Sequence, residues 1–356
     1  MVRPEDPNNV TAAPSVVVVT GVSRYIGARV AARLAADPRI DRVVGLDPHD
    51  PPVGLLGLLD GVERIRADAR AATEAIVDLG AEAVVHLAIT SVPDAQQGRA
   101  AMKEQNVIGT MQVLAAAQGT STLRKLVVRS STAAYGASFR DPAVFTEDTE
   151  PRAVPRGSFA RDILDIEGYV RGFRRRRPEV AATVLRFAPM ISSSAETSLT
   201  RYFSQPVVPT VLGRDARLQF VHVEDALEVL HRSVIEDHPG TFNVAGSGIL
   251  MLSQAVRRAG RISLPVPEPA LSTGAALLRH FGVEQIGLDQ IDLFVHGRVV
   301  DTTRLIDEFG FTPRTTLAAF EDFIQAHAEG STLTADRLAA AENAILDGIR
   351  KVRATS

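Results

Sequence analysis

Apolar residues in the first half of the chain come in short bursts, separated by longer stretches with helical spacing. Val16-Val17-Val18-Val19 is a run of four β-branched residues, which suits a strand buried on both faces of a parallel sheet. A turn holding Gly21 and Gly27 follows. Arg24 to Ala36 then carries Ile26, Val30 and Leu34 on one helical face. The alternation repeats down the chain. Asp41 to Asp47 and Val62 to Ala67 predict strands, and Ala71 to Leu79 a helix. Ala83 to Ala88 predicts a fourth strand, Arg99 to Ala117 a long helix, and Lys125 to Ser130 a fifth strand. Pro48 to Gly61 and Asp141 to Gly157 read as loops. Ser158 to Arg175 predicts a helix with Ser158 as its N-cap, and Val180 to Phe187 a sixth strand. Such alternation implies an α/β fold built on a Rossmann-type doubly wound parallel sheet.

After Pro189 the segments shorten and alternate less regularly. Helices are predicted at Thr197 to Ser204, Glu224 to Ile235, Leu252 to Ala259 and Ala270 to Phe281, with strands at Leu218 to Val221 and Thr241 to Val244. Further ordered pieces fall around Asp301 to Phe309 and Leu317 to Ala328, and Thr334 to Val352 reads as an amphipathic helix. The expected organisation is a loose tail over 1–14 and a dinucleotide-binding domain over 15–188, to which a segment around 213–245 returns. A smaller C-terminal α/β substrate domain over 189–330 and a helical tail over 331–356 complete it.

Composition narrows the classes. The chain has 356 residues, 45% of them apolar, which is enough for a sizeable core. A net charge of −3 gives no ground for a nucleic-acid partner. The run Arg174-Arg175-Arg176-Arg177 reads as a solvated helix end complementing the dipole rather than a nucleic-acid patch. There is no cysteine, and the eight histidines show no metal-ligand spacing, so no metal site is expected. No apolar run reaches the ~18 residues of a membrane span. The first fourteen residues lack the apolar core of a secretory signal, so the expected location is cytoplasmic, with no membrane partner.

Strand, glycine turn and helix together seat a dinucleotide pyrophosphate, because backbone N–H groups and the positive helix end point at the phosphates. The residues at that turn are Thr20, Gly21, Ser23, Arg24, Tyr25, Ile26 and Gly27. Arg24 stands where the middle glycine of the usual three would be, and it either fills the phosphate space or makes a charge-assisted contact to it. Asp47 lies a little over twenty residues beyond the turn. A carboxylate there accepts both ribose hydroxyls and repels a 2′-phosphate, which selects NAD over NADP. The competing reading of Asp47 is a cap on the turn before Pro48.

Several motifs in order resemble the extended short-chain dehydrogenase/reductase family, the NAD-dependent nucleotide-sugar epimerases and dehydratases. Thr20-Gly21 to Gly27 looks like its phosphate turn minus one glycine, and Asp47 matches its ribose acid. Asp68 with Ala69 matches the residues that meet adenine. His86-Leu87-Ala88-Ile89 resembles the strand end under the cofactor, and Asn106-Val107-x-Gly109-Thr110 its helix motif. Ser130-Ser131-Thr132-x-x-Tyr135-Gly136 resembles its active-site strand end. Leu185-Arg186-Phe187, Phe220 to Asp225, and Asn243-Val244-Ala245-Gly246 follow as the family has them. The resemblance covers about residues 15 to 328. It implies NAD as cofactor, a nucleotide-sugar-like ligand and a homodimer paired through the helices Arg99 to Ala117 and Ser158 to Arg175. Arg186, Pro189, Arg217 and His222 are the implied substrate residues, with Arg217 the best placed for a diphosphate.

The family's chemistry needs a tyrosine and a lysine four residues apart on the helix after strand five, so that a tyrosinate takes the proton as hydride leaves. Aligned by Glu167, those slots hold Phe159 and Ile163. Tyr25, Tyr135, Tyr169 and Tyr202 are followed four residues later by Arg29, Phe139, Phe173 and Pro206, so no tyrosine has a lysine partner. Three readings stand. The protein performs a related reaction with another acid/base, from Ser131, Thr132, Tyr135, Arg161 or Asp162; or it is an inactive NAD-dependent binding or regulatory module; or the cofactor too is lost. Asp162 and Asp165 read equally as plain helix-surface acids, and His86 as a hydrogen-bonded structural histidine.

Overall fold

The computed structural model describes residues 13–91, 98–152, 155, 157–268 and 288–326. Seven parallel strands form the central sheet: β1 (Val16–Thr20), β2 (Arg42–Asp47), β3 (Glu63–Arg66), β4 (Ala83–His86), β5 (Lys125–Ser131), β6 (Ala181–Phe187) and β11 (Gly240–Val244). Their order across the sheet is β11-β6-β5-β4-β1-β2-β3. The order reverses between β1 and β4, the position at which doubly wound sheets open a crevice for ligands.

Period-two alternation feeds two cores. Val17 and Val19 of β1 pack on one face, with helices α1 (Tyr25–Ala35) and α8 (Val223–Ile235). Val18 packs on the other, with α3 (Ala69–Asp78), α5 (Gly109–Gly119) and α6 (Ser158–Arg176). A run of β-branched residues works in β1 because both faces are covered. Ion pairs Arg29–Glu224, at 2.8 Å, and Arg33–Glu228 tie α8 to α1.

Beyond the strand ends lies a separate core of Ile191, Tyr202, Phe203, Phe220, Phe294 and Phe320. Around it are three two-stranded pairings. β7 (Met190–Ile191) runs with β10 (Val221–His222), and β9 (Arg217–Leu218) with β12 (Leu250–Met251). β8 (Val207–Val211) runs parallel to β13 (Ile262–Val266). The remaining helices of this region are α7 (Ser198–Ser204), α9 (Leu252–Arg258), Leu288–His296, Thr303–Asp307 and Thr316–Ala326.

The structure departs from the sequence expectations at definite places. The stretch read as a loop after β2 contains a short helix, α2 (Val53–Leu56), and a 3₁₀ turn, Gly57–Leu59. The single strand expected from Leu218 to Val221 is two pieces in different sheets, β9 and β10. The long helix before β5 is α4 (Gly98–Lys103), a π-helical turn Glu104–Ile108, and α5 run together. Gly157, not Ser158, is the N-cap of α6, and no side chain caps that end. The arginine run is not simply solvated: Arg174 donates to the carbonyls of Ala182 and Gly240, and Arg177 to those of Ala117, Gln118 and Thr120. The expected helices Ala270 to Phe281 and Thr334 to Val352, and most of the N-terminal tail, lie outside the described residues.

Candidate cofactor and substrate site

A cleft of about 690 Å³ opens where the strand order reverses. Its floor is made by strand ends: Thr20 of β1, Leu46 of β2, Ala67 and Asp68 after β3, and His86 and Ala88 at β4. Its far wall is Gln105, Ile108, Gly109 and Gln112, which repeat at helical spacing across the π turn and into α5.

The glycine turn is built for close backbone approach. Gly21 has φ +83°, and a Cβ there would lie 2.8 Å from the Ala88 nitrogen. A Cβ on Gly27 would fall 2.0 Å from the Gly21 carbonyl oxygen, so only glycine lets α1 start against the turn. Arg24 is the N-cap of α1 with extended backbone and no side-chain cap bond. Its guanidinium points across the cleft and donates to Gln105 Oε1 at 3.0 Å. Burial lowers its pKa, against the opposing pull of Asp47. Ser23 gives its N–H to Asp47 Oδ2 at 3.1 Å, and His49 gives its own to Oδ1 at 3.0 Å. Asp47 therefore ties the turn to the end of β2, as the capping reading has it. Asp68 caps α3 through the N–H groups of Arg70 and Ala71. Tyr25 lies apart from the cleft, with its hydroxyl 2.8 Å from Ser194 Oγ and receiving Arg29 Nη1 at 2.9 Å.

His86 sits under the floor in a directional chain. Thr20 Oγ1 accepts the N–H of Leu87 and of Ala88, so its single proton goes to His86 Nδ1, 2.8 Å away. Nε2–H is then the donor to Thr110 Oγ1 at 2.9 Å, and Thr110 donates to the Asn106 carbonyl. Burial holds this histidine neutral, with its pKa lowered to about 4. Asn106 clamps Thr90 in both directions, Thr90 N–H to Oδ1 and Nδ2 to the Thr90 carbonyl, each at 2.9 Å. Its Nδ2 also reaches Asp162 Oδ2 at 3.1 Å. Asp162 is 1% exposed and takes a two-pronged contact from Arg99. The reading of Asp162 as a surface acid is overturned; Asp165 is exposed, as that reading has it. The spacing Phe159, Asp162, Ile163, Ile166 carries this signal, since it is one buried helical stripe.

At the end of β5, Ser131 Oγ caps a 3₁₀ turn, Thr132–Tyr135, by accepting the Ala133 N–H. Ser130 Oγ donates to Glu167 Oε1 at 2.6 Å. Glu167 also receives Arg186 through Nε at 2.9 Å and Nη2 at 2.7 Å. Arg186 Nη1 serves the Tyr135 hydroxyl and the Glu147 carbonyl, and Tyr135 passes its own proton to Asn243 Oδ1 at 2.7 Å. Arg186 and Tyr135 are thus joined in a structural knot between β5, β6, α6 and β11. Burial pushes the Tyr135 phenol up to about 12, so it keeps its proton at neutral pH. Phe159 and Ile163, one turn apart on α6, are buried in the same core as Met102, Ala133 and Ala134.

A second cleft of about 320 Å³ lies beyond β5. Arg214, Arg217, Arg298 and His296 line it, opposite Phe139 and Asp141. Arg214 stacks over the Phe139 ring at 4.3 Å, and Arg298 is anchored by the Gly136 carbonyl. His222 lies away from it as the N-cap of α8, with Nδ1 accepting the Glu224 N–H and Nε2 facing Asp322 at 3.2 Å. Pro189 contributes its carbonyl to Val221, holding β10. Gln105 and Gln112 line the first cleft and Arg298 the second, and the sequence reading named none of them. Among the described residues no cluster of His, Asp or Glu could hold a metal ion, and no helix is long and apolar enough to cross a membrane.

The cleft at the strand reversal fits a dinucleotide. Gly21 and Gly27 let β1, the turn and the start of α1 pack backbone to backbone beside it, and Gln112, which lines it, has an Oε1 without a hydrogen-bond partner among the described residues. Comparison with known proteins agrees. Uncharacterised proteins of Mycobacterium tuberculosis and Mycobacterium bovis are 44% identical over 315 residues, covering 88% of this chain and 84% of theirs. The fold is shared with UDP-glucose 4-epimerase of Thermotoga maritima bound to UDP-glucose, at TM-score 0.68 and 17% identity over 88% of this chain and 99% of that one. It is shared equally with UDP-glucuronic acid 4-epimerase of Bacillus cereus bound to UDP-glucuronic acid and NAD, at TM-score 0.67 and 15% identity, with the same coverage. The model of one family matches residues 17–245, from β1 to the end of β11, and with it the chain belongs to the NAD-dependent epimerase/dehydratase family.

Proposed function

We propose that this protein holds NAD in the cleft at the strand reversal and a nucleotide-sugar-type ligand in the arginine-lined cleft. Any turnover then proceeds without a tyrosine–lysine pair. The observation that carries this reading is the pair of apolar side chains Phe159 and Ile163, buried on α6 where the family's proton relay would stand. Phenylalanine has no proton to exchange, and isoleucine has no charge with which to tune a neighbour. Nor do the two described lysines supply one. Lys125 is at the opposite end of β5, paired with Asp237, and Lys103 is exposed on α4.

In the second cleft, Arg217 is the diphosphate residue of this reading, with Arg214 and Arg298 beside it. Guanidinium forks match phosphate oxygens. Ser131 and Thr132, at the end of β5, are the hydroxyls this reading keeps as candidates. NAD supplies a hydride acceptor when bound; the chain's part is to orient it and to keep the pocket dry. A second reading, a catalytically silent NAD-dependent binding module, is favoured by Tyr135 and Asp162, whose polar atoms are engaged within the fold. The expected setting is a cytoplasmic homodimer. Met111 on α5 and Tyr169 on α6 are exposed, 41% and 38%, on the two helices of the expected interface.

The test is calorimetry with NAD, then incubation with UDP- and dTDP-sugars while following NADH absorbance and sugar products. Micromolar-range NAD binding with negligible turnover is expected. Phe159→Tyr combined with Ile163→Lys should raise turnover by about 100-fold or more, the scale of a positioned acid/base. No NAD binding would sink the cofactor assignment. Robust wild-type epimerisation that survives Phe159→Ala would locate the acid/base elsewhere and remove the silent-module reading.

A further inference from the structure

Most arginines of this fold whose side chains are engaged face a carboxylate. Two near the cofactor cleft do not. Arg24 donates to the neutral amide of Gln105, and Arg129 to the Ile89 carbonyl at 3.2 Å. Neither is ion-paired among the described residues. They approach the same region from the start of α1 and from β5. Arg24, the N-cap of α1, lines the cleft, and Arg129 on β5 sits just behind the lining, its guanidinium held by the carbonyl of Ile89 between the cleft residues Ala88 and Thr90. Each is partly buried. Burial, and after it the nearby Arg24 charge, lowers the Arg129 pKa to about 10. Carboxylates are present at the cleft but committed or peripheral: Asp47 accepts backbone N–H groups, Asp68 caps α3, and Glu104 is exposed.

We propose that Arg24 and Arg129 form a two-guanidinium seat for the pyrophosphate of the bound dinucleotide, taking over the role of the missing middle glycine. This rests on the assignment of the cleft to NAD. A glycine turn offers neutral backbone N–H donors to the phosphates. Here two fixed cations add charge-assisted contacts to them. The neutral partner of Arg24 is suited to this, because swinging from an amide oxygen to a phosphate breaks no ion pair. Gln105 then releases a residue that spans the cleft, and the guanidinium closes over the ligand instead. Because the seat reads phosphate and not nicotinamide, ADP-ribose should bind nearly as well as NAD, and adenosine poorly.

Calorimetry on the full chain tests the seat with NAD, NADP, ADP-ribose, adenosine and inorganic pyrophosphate. Arg24→Gly, which restores the family's glycine, should weaken NAD and ADP-ribose by roughly 10- to 100-fold and leave adenosine unchanged, the scale of one charged hydrogen bond. Arg129→Met should do the same, and Arg129→Lys, which keeps a buried cation and so guards against misfolding, should retain most of the binding. Equal or tighter NAD binding by Arg24→Gly would mean that the side chain only fills phosphate space, and would overturn the proposal. So would a preference for NADP that Arg24→Gly abolishes, since the arginine would then serve the ribose phosphate. If the wild type binds pyrophosphate through both arginines but no dinucleotide, the seat stands and the cofactor assignment fails. Binding none of these phosphates overturns both.

Discussion

The cofactor cleft and the knot at the end of β5 are built from similar residues and treat them in opposite ways. In the knot, Glu167, Arg186, Tyr135, Ser130 and Asn243 satisfy one another, and the Tyr135 ring is further stacked on Phe145 at 4.8 Å. At the cleft, among the described residues, Arg24 donates to an amide, Arg129 behind the lining donates to a carbonyl, and Gln112 Oε1 has no hydrogen-bond partner. Buried polar groups are costly unless paired. A closed network therefore reads as structure, and an open one as a place where a ligand completes the bonding. Matching the family's motif letters at Tyr135 and Arg186 does not leave their polar atoms free, whereas Gln112, outside every motif, keeps an Oε1 without a partner among the described residues.

Three measurements would break or sharpen that contrast. The largest effect is expected at the knot. Glu167→Ala leaves Arg186 buried without its carboxylate and should cost about 3–5 kcal/mol in urea unfolding. A loss below ~1 kcal/mol would mean that the knot is wetter than its geometry implies. Next is His86. Its folded pKa of about 4 lies below the ordinary value of 6.5, so the unfolded chain takes up a proton first as pH falls. Its contribution is fully present above pH 6.5, is lost between pH 6.5 and 4, and amounts to about 3 kcal/mol. His86→Asn should flatten the pH dependence of stability in that window, whatever it does to stability at pH 8. An unchanged slope would show that another group governs it. The smallest effect belongs to the cleft. Gln112→Leu removes one uncharged acceptor and should weaken NAD by roughly fivefold, about one net hydrogen bond, with thermal stability unchanged or improved. A clear loss of stability instead would place Gln112 among the structural groups.

Much of the sheet is legible because covered parallel strands need near-continuous apolar runs, which β1 supplies with four valines and β4, β5 and β6 with shorter stretches. What the pattern hides has physical causes. β8 and β13 contain Pro209 and Pro265, which argue against strands, yet a two-stranded pairing is all edge and tolerates a missing N–H. The glycine turn and Asp47 announce the cofactor side, since their chemistry depends on local spacing. The knot was opaque because it joins β5, α6, β6 and β11, residues up to 108 apart in sequence, as in the bond from Tyr135 to Asn243. The buried ends of Arg174 and Arg177 were hidden for the same reason: composition marks a charged run but not the carbonyls it reaches.

The π turn at Glu104–Ile108 closes with the Gly109 N–H on the Glu104 carbonyl, five residues back. Such a turn is one residue more than an α-helix holds, and it sets the rotational phase of everything after it. One residue of α-helix is about 100°. Deleting a single position there would turn Thr110 away from His86 and Gln112 away from the cleft in one stroke, while every strand of the sheet stayed in place.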